Sequence, residues 1–108
     1  MLKGYWIARV DVHDAEAYKK YIAANAAPLA KFGARFLVRG GKTECVGGAM
    51  RARNVVIEFE SYEKALACWN SPEYRRAASF RQPPIADGDF IICEGYEGPQ
   101  PGEASPSG

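Results

Sequence analysis

The segment NVVIEFESYEKALACW, residues 54–69, contains the clearest strand of the chain and the start of a helix. In residues 54–60, Val55, Ile57 and Phe59 alternate with the other side chains, which is the period-two pattern of a strand. Ser61 follows directly and can cap a helix by accepting a hydrogen bond from the next turn. Beyond it, apolar side chains recur at helical spacing: Tyr62, Ala65, Leu66 and Trp69.

Downstream of this helix, the sequence Ser71-Pro72-Glu73 combines an N-cap residue, a proline suited to the first helical position and an early acid. We therefore expect the second helix to break at Asn70 and a further helix to begin. Residues 88–96 return to strand character. From residue 98 the sequence GPQPGEASPSG is polar and rich in proline, so residues 98–108 are predicted to form a flexible tail outside a single domain spanning 1–97.

Upstream, residues 4–12 are dense in aromatic and β-branched side chains and are predicted to form the first strand. Asp14 can cap the following helix, whose apolar face is predicted from helical spacing. Pro28 removes a backbone donor inside that pattern, so we expect a kink or a break near residues 25–27. The predicted apolar positions of this helix are Tyr18, Ile22, Leu29 and Phe32.

Between the first helix and residue 54, residues 35–39 and 42–46 both have extended character. The intervening Gly40-Gly41 suggests a bulge inside one long strand. Gly47-Gly48 supplies the positive φ angles of a tight turn, so we expect a hairpin with the strand at residues 54–60.

Length and composition restrict the class of protein. A chain of 108 residues, with 47% hydrophobic and 25% charged residues, suits one globular domain that folds without a cofactor. A formal net charge of +1 argues against nucleic acid or anionic lipid as partners. From the residues given we expect no targeting segment, and no apolar stretch approaches membrane-spanning length. The three widely spaced cysteines, Cys45, Cys68 and Cys93, are typical of thiols in a reducing compartment, and we expect a cytoplasmic protein.

The predicted order of elements, strand–helix–strand–strand–helix–strand, is that of the split βαβ motif, an α+β fold with helices on one face of an antiparallel sheet. Alternation predicts that Trp6, Ala8 and Val10 face the helices. The other face mixes apolar residues with Arg9, Arg39 and Glu58. A mixed face of this kind favours an interface between two copies of the chain that encloses a cleft.

Four blocks occur in an order that resembles the domain-of-unknown-function family 1330: KGYWIARVDV, ARFLVRGG, VVIEFES and WNSPEYRRAASFR. The resemblance covers roughly residues 3–97. It implies a dimeric α/β barrel, in which two ferredoxin-like sheets face each other across a two-fold axis and their clefts often hold small molecules. Similar superfamilies include cofactor-independent monooxygenases, muconolactone isomerases, haem-binding proteins and proteins without known activity, so the resemblance implies no particular reaction.

A first candidate site follows from hairpin geometry. A turn between Gly48 and Ala49 would place Arg39 opposite Glu58, and the split βαβ order would bring Arg9 close as well. Two guanidinium groups would hold the carboxylate ionised. Such a cluster suits either an ion-pair network at a subunit interface or a site that orients an acidic ligand.

A second candidate site lies near the break between the last two helices, where aromatic residues alternate with arginines. Helical spacing places Tyr74 and Arg81 on one side, so both are predicted to point into a pocket. Arg75 and Arg76 are expected to be solvated, and Trp69 and Phe80 suit either a pocket wall or the core. Glu58 and Tyr74 are the candidate proton-transfer groups, beside Arg39 or Arg81 as stabilisers of developing negative charge.

The remaining residues offer little further chemistry. His13 is the only histidine, so we expect no metal site, and its place before the first helix suits a loop residue better than a haem ligand. No glycine pattern matches a phosphate-binding loop. Two hypotheses remain. The first is a cofactor-independent enzyme or binding module for a small, carboxylate-bearing metabolite held in the cleft of a homodimer, and the second is a non-catalytic dimer in which Arg9, Arg39 and Glu58 only stabilise the interface.

Overall fold

A computed structural model describes residues 1–103 of the chain. Its four strands form one antiparallel sheet in the order β2-β3-β1-β4, and the α+β class and the ferredoxin-like arrangement are confirmed. Residues 104–108 of the predicted tail lie outside the described residues. The elements are β1 Gly4–Val12, α1 Ala15–Lys31, β2 Arg35–Arg39, β3 Arg53–Phe59, α2 Tyr62–Asn70, α3 Pro72–Ala78, a 3-10 turn Ser79–Arg81 and β4 Ala86–Glu94.

The core forms between the helices and one face of the sheet, as the alternation predicts. Trp6 on the central strand β1 is buried against the rings of Phe59, Trp69 and Tyr74, at centroid distances of 4.8–5.3 Å. Its indole Nε1 donates a hydrogen bond of 2.9 Å to the carbonyl of Ala65 in α2. This bond matters because a buried indole N–H without a partner would destabilise the fold.

Helix α1 runs without interruption from residue 15 to residue 31, so the predicted break at residues 25–27 is wrong. Its start is as expected: the Asp14 carboxylate accepts a hydrogen bond of 3.0 Å from the backbone N–H of Ala17. Pro28 is buried in the helix, and its carbonyl accepts a bond of 3.2 Å from the N–H of Phe32. The helix tolerates the one missing donor because tertiary packing, more than local propensity, stabilises helices.

The predicted break between α2 and α3 is confirmed at Asn70, and Ser71 serves both helices. Its hydroxyl donates to the carbonyl of Cys68 at 2.7 Å and accepts from the N–H of Tyr74 at 3.2 Å. Ser71 therefore ends α2, begins α3 and fixes the backbone from which the Tyr74 side chain extends.

The connection between β2 and β3 differs from the prediction. Residues 42–46 form no strand, and residues 40–52 are a long loop that closes the hairpin. The register shifts between Phe36 and Val38, so the irregularity lies at Leu37 and not at Gly40-Gly41. One extra residue in a strand reverses the direction of every following side chain. Arg39 is consequently aligned with Val55 on the helix side of the sheet.

The other face of the sheet has no helix against it and is mixed in character, as predicted. Exposed apolar side chains on it include Val38 of β2 and Ile91 of β4, which are 44% and 54% exposed. Arg9 on this face donates a hydrogen bond of 2.7 Å to the carbonyl of Ala49, which attaches the long loop to the sheet. None of the helices within residues 1–103 is long and apolar enough to span a membrane.

Candidate functional site

A cleft lies between the sheet and α1, above Ala8 in the middle of the central strand. Trp6 and Val10 on the same face are 5% and 2% exposed, whereas Ala8 between them is only partly buried. Its neighbours across the strands, Val55 and Phe90, form the sides of this gap. Helix α2 lies directly on the sheet, whereas α1 packs mainly on α3 and the 3-10 turn. Space therefore remains between α1 and the sheet, and the small side chain of Ala8 does not fill it.

The cleft is narrow and mostly apolar. With its open mouth included, it encloses about 440 Å³ of empty space, but the cavity itself has a volume of only about 30 Å³. Its apolar lining with a few polar side chains is typical of a small-molecule site. Helix α1 contributes Tyr18, Tyr21 and Asn25 to the lining, at the spacing of one helical face. The rings of Tyr18 and Tyr21 lie 5.3 Å apart.

Beside the cleft, two phenols and a guanidinium are joined by hydrogen bonds, and of the three residues Tyr21 lines the cleft. The hydroxyls of Tyr21 and Tyr74 lie 2.7 Å apart, and Nη2 of Arg81 donates to the Tyr74 hydroxyl at 3.3 Å. Tyr74 is 1% exposed and Arg81 is 9% exposed. Tyr21 lines the cleft, so this buried group reaches the ligand space through its hydroxyl.

Aromatic rings surround the guanidinium of Arg81. Its central carbon lies 4.2 Å from the centre of the Phe90 ring, 5.2 Å from that of Tyr21 and 5.7 Å from that of Trp69. Within residues 1–103, no carboxylate forms an ion pair with Arg81, and its Nε is buried without a hydrogen-bond partner. Cation–π contacts offset part of the desolvation cost, but an unpaired buried donor still costs about 1–3 kcal/mol.

The protonation states of this group follow from burial. Burial raises the pKa of Tyr74 far above its ordinary value, and Tyr21 raises it further, while the Arg81 charge opposes both effects. Burial alone would lower the pKa of Arg81, but the Tyr74 and Tyr21 hydroxyls outweigh it and the pKa lies above its ordinary value. At neutral pH Arg81 is therefore a cation beside the protonated phenol of Tyr74.

Two further arginines lie in or beside the cleft. Arg39 lines it, with its guanidinium 4.0 Å from the centre of the Phe36 ring. Arg53 lies opposite Val10 in the strand register. Its guanidinium carbon is 5.9 Å from the centre of the Tyr18 ring, and its Nε is buried without a hydrogen-bond partner. Gly40, at φ 62°, provides room for Arg53, because a Cβ there would lie 2.7 Å from an Nη atom of Arg53.

The predicted cluster of Arg9, Arg39 and Glu58 does not form. In the strand register, Glu58 lies opposite Arg35 of β2 and Tyr5 of β1, and Arg9 lies opposite Asn54. The Tyr5 hydroxyl donates a hydrogen bond of 3.2 Å to the Glu58 carboxylate. The bulge at Leu37 directs Arg39 to the helix side, away from Glu58. Glu58 and Arg9 thus lie on the face of the sheet opposite the cleft.

The second predicted group is largely brought together. Tyr74 and Arg81 are in hydrogen-bond contact, and Trp69 packs on both. Arg75 and Arg76 are exposed, as expected, and Arg75 stacks on the Trp69 ring at 4.8 Å. Sequence reasoning missed the lining residues Tyr18, Tyr21, Asn25 and Phe90. A polar Asn25 on the same helical face as two tyrosines was the available signal for three of them.

Outside the cleft, Arg51 in the long loop forms ion pairs with three aspartates, at 2.8 Å to Asp11, 2.8 Å to Asp87 and 3.0 Å to Asp89. His13 approaches Asp87 at 2.9 Å, and hydrogen bonds from His13 and Arg51 lower the pKa of Asp87. The cluster holds the loop against β1 and β4, and its opposite charges pair with one another.

The geometry defines a ferredoxin-like α+β protein with an arginine- and tyrosine-lined cleft between its sheet and its first helix. Over residues 3–96 the chain matches the model of a domain of unknown function, DUF1330, and it belongs to that family. No curated protein matches it in sequence.

Solved structures share the fold. The RPA0582 protein of unknown function from Rhodopseudomonas palustris is similar with a TM-score of 0.71 and 18% identity, over 90% of this chain and 85% of that one. A dimeric ferredoxin-like protein of unknown function from Thermobifida fusca gives 0.57 and 17%, over 85% and 90%. SnoaB, a cofactor-independent oxygenase from Streptomyces nogalater, gives 0.61 and 13%, over 95% and 100%.

Proposed function

We propose that this protein is a homodimer that binds a small, acidic metabolite in the cleft between the sheet and α1 of each subunit. The observation that carries the proposal is Arg81, a buried guanidinium that packs against Tyr21 and Phe90 of the cleft lining and that no carboxylate within residues 1–103 neutralises. A ligand carboxylate, phenolate or enolate would supply the missing negative charge in a place where water does so poorly.

The hydrogen-bond chain supports the recognition of an oxyanion. Arg81 can only donate, so the Tyr74 oxygen accepts its hydrogen bond. When Tyr74 in turn donates to Tyr21, the Tyr21 hydroxyl is left to donate into the cleft, and each bond polarises the next. The positive charge of Arg81 is thereby transmitted to a group that lines the ligand space.

The same geometry restricts the reactions that the protein could catalyse. Tyr74 is protonated at neutral pH and cannot accept a proton from a substrate, and Glu58 lies on the other face of the sheet. These two residues are therefore poor candidates for a general base in this cleft. Stabilisation of an enolate or phenolate by Tyr21 and Arg81 is the chemistry that the site supports, and the fold similarity to a cofactor-independent oxygenase is compatible with it.

The open face of the sheet supports the dimer. Exposed Val38 and Ile91 and the partly exposed Ile7 and Val56 lie on that face, near Arg9. An apolar patch with a charged rim suits contact with a second copy. Arg9 and Glu58 would then belong to the dimer interface, and Arg39 and Arg81 to the ligand site. The interface role and the ligand role, which the sequence suggested for one cluster, would thus belong to different residues.

Binding is tested with benzoate and with benzamide, which has nearly the same shape but no charge. We expect benzoate to shift backbone amide NMR signals of α1 and β1, benzamide to bind at least tenfold more weakly, and Arg81→Gln to weaken benzoate binding at least tenfold. Arg76→Gln, an exposed arginine of α3, is the matched control and should leave binding unchanged. Equal binding of the two probes, or unaltered affinity in Arg81→Gln, would refute the acidic-ligand proposal.

The alternative function is a dimer without a ligand, in which Arg9 and Glu58 only stabilise the interface. Native mass spectrometry of the gently purified protein distinguishes the two. A dimer with additional mass that is absent from Arg81→Gln protein supports the cleft. A dimer without additional mass and without benzoate binding supports the alternative, and a stable monomer contradicts both.

A further inference from the structure

We propose that the natural ligand of the cleft is a hydroxy acid, whose acidic group is bound beside Tyr21 and whose neutral hydroxyl group is bound by the side-chain amide of Asn25. This inference rests on the proposed function and names its ligand class. It makes Asn25, which lines the cleft from α1, the residue that distinguishes a hydroxylated ligand from an apolar ligand of the same size.

The first observation is that the Asn25 side chain is buried without a hydrogen bond. Asn25 is 5% exposed, and within residues 1–103 its amide neither donates to nor accepts from another protein group. Apart from aromatic residues, the other buried polar residues of this part of the chain all form side-chain hydrogen bonds: Ser61, Ser71 and Arg81. Buried polar groups in native proteins are nearly always paired, so an unpaired amide requires an explanation.

The second observation is that the Asn25 amide remains in contact with the cleft. Within residues 1–103, the side-chain atoms sealed in the protein without a partner are Nε of Arg53 and Nε of Arg81, and the amide atoms of Asn25 are not among them. Because Asn25 lines the cleft, the small accessible surface of its amide faces that space. A ligand in the cleft can therefore reach the amide oxygen and the amide nitrogen.

The third observation is the position of Asn25 relative to the hydroxyl that would bind the acidic group. Asn25 follows Tyr21 by four residues, so the two side chains lie on the same face of α1, about 6 Å apart along the helix axis. One aromatic ring with a substituent at each end can span this distance. The rest of the lining is apolar or aromatic, apart from Arg39.

The chemistry of the amide favours a hydroxyl group. An asparagine side chain has an acceptor at Oδ1 and donors at Nδ2, so it pairs fully with a group that both donates and accepts. A hydroxyl is the smallest group that does both, which suits a cavity of about 30 Å³. A site that binds a hydroxyl through a buried amide discriminates against the analogue without one, because the amide is then left unpaired.

The test compares 3- and 4-hydroxybenzoate with 3- and 4-methylbenzoate, in which a methyl group replaces the hydroxyl at nearly the same size. We expect at least one hydroxybenzoate to bind the full chain at least tenfold more tightly than its methyl counterpart, measured by NMR titration. Asn25→Leu, a change of similar side-chain size, should bring this ratio within twofold of one and should raise Tm, because an unpaired buried amide is removed. Asn70→Leu, at an exposed asparagine of α2, is the matched control and should leave the ratio unchanged.

The outcomes separate this proposal from the proposed function. A ratio within twofold of one for both pairs in the unaltered chain, together with Arg81-dependent benzoate binding, would refute the hydroxy acid and leave the proposed function standing. A ratio that persists in Asn25→Leu would refute the assignment of the hydroxyl to Asn25. If Asn25→Leu does not fold, Asn25→Ala must reduce the ratio at least threefold. Failure of every benzoate to bind would overturn both proposals.

Discussion

Replacing Ala8 with valine should stabilise the protein and at the same time weaken ligand binding. Ala8 lies on the central strand and lines the cleft. It is only partly buried, whereas Trp6 and Val10 on either side of it are buried. Most changes that weaken binding also destabilise a fold. An increase in stability together with a decrease in ligand affinity would therefore identify the cleft as a ligand site.

The magnitude follows from the volume. The space open to the centre of a water-sized sphere is about 30 Å³, whereas one water needs roughly 10–15 Å³. The two additional methyl groups of valine, at about 0.8 kcal/mol per buried carbon, set an upper limit of about 1.6 kcal/mol. Valine also suits a strand better than alanine, and some strain at χ1 will reduce the gain. We expect the free energy of unfolding to rise by about 1 kcal/mol, which raises Tm by about 4–8 °C.

The assay combines thermal unfolding followed by circular dichroism with benzoate titration by NMR. Ala8→Val should weaken benzoate binding at least tenfold, because the additional methyl groups occupy the floor on which the flat ligand would lie. Val46→Ile, an enlargement of a 90% exposed residue in the loop of residues 40–52, is the matched control and should change neither quantity appreciably. A lower Tm for Ala8→Val would show that the region above Ala8 is already filled, and unchanged binding would remove the cleft from the function.

Two further predictions concern groups outside the cleft. Because the folded-state pKa of Asp87 is lowered, first by His13 and then by Arg51, its stabilising contribution is present above its unfolded pKa of about 3.8 and is lost as the pH falls through the folded pKa. Acid unfolding of Arg51→Gln should therefore show a weaker pH dependence below pH 4 than that of the unaltered chain, and identical profiles would contradict the role of the cluster. Burial raises the pKa of the Cys68 thiol to about 12, so a thiol reagent at pH 8 should label exposed Cys45 in the native protein and leave Cys68 unlabelled until unfolding. Rapid native labelling of Cys68, detected by mass spectrometry, would contradict its burial.

The fold was predictable from sequence because its strands and helices carry strong local patterns. Period-two alternation correctly assigned the buried faces of β1 and β3, and Ser71-Pro72 correctly marked the break between α2 and α3. The continuous helix through Pro28 was not predictable, since the loss of one hydrogen bond is compensated by packing that only the tertiary structure provides.

The site was predictable only in part, and the difference lies in a single residue of register. Tyr74 and Arg81 were placed correctly because α3 and the 3-10 turn keep both side chains on one side. Arg39 was placed on the wrong face because the bulge occurs at Leu37, in a run without glycine, while Gly40-Gly41 offered a stronger local signal. A one-residue shift reverses the face of a strand side chain, so no estimate of turn position could substitute for the observed pairing.

The strongest argument for a ligand comes from comparing the arginines of the chain with one another. Arg51, whose role is structural, is surrounded by three aspartates that satisfy its charge. Arg51 shows that acids of this chain can satisfy a structural arginine. Arg81 is more deeply buried than Arg51, yet aromatic rings and phenols surround it and its Nε has no partner. An apolar residue at position 81 would avoid the cost of desolvating this charge. The retained charge is best explained by an anion in the adjacent cleft, which Arg81 would stabilise through the hydroxyls of Tyr74 and Tyr21.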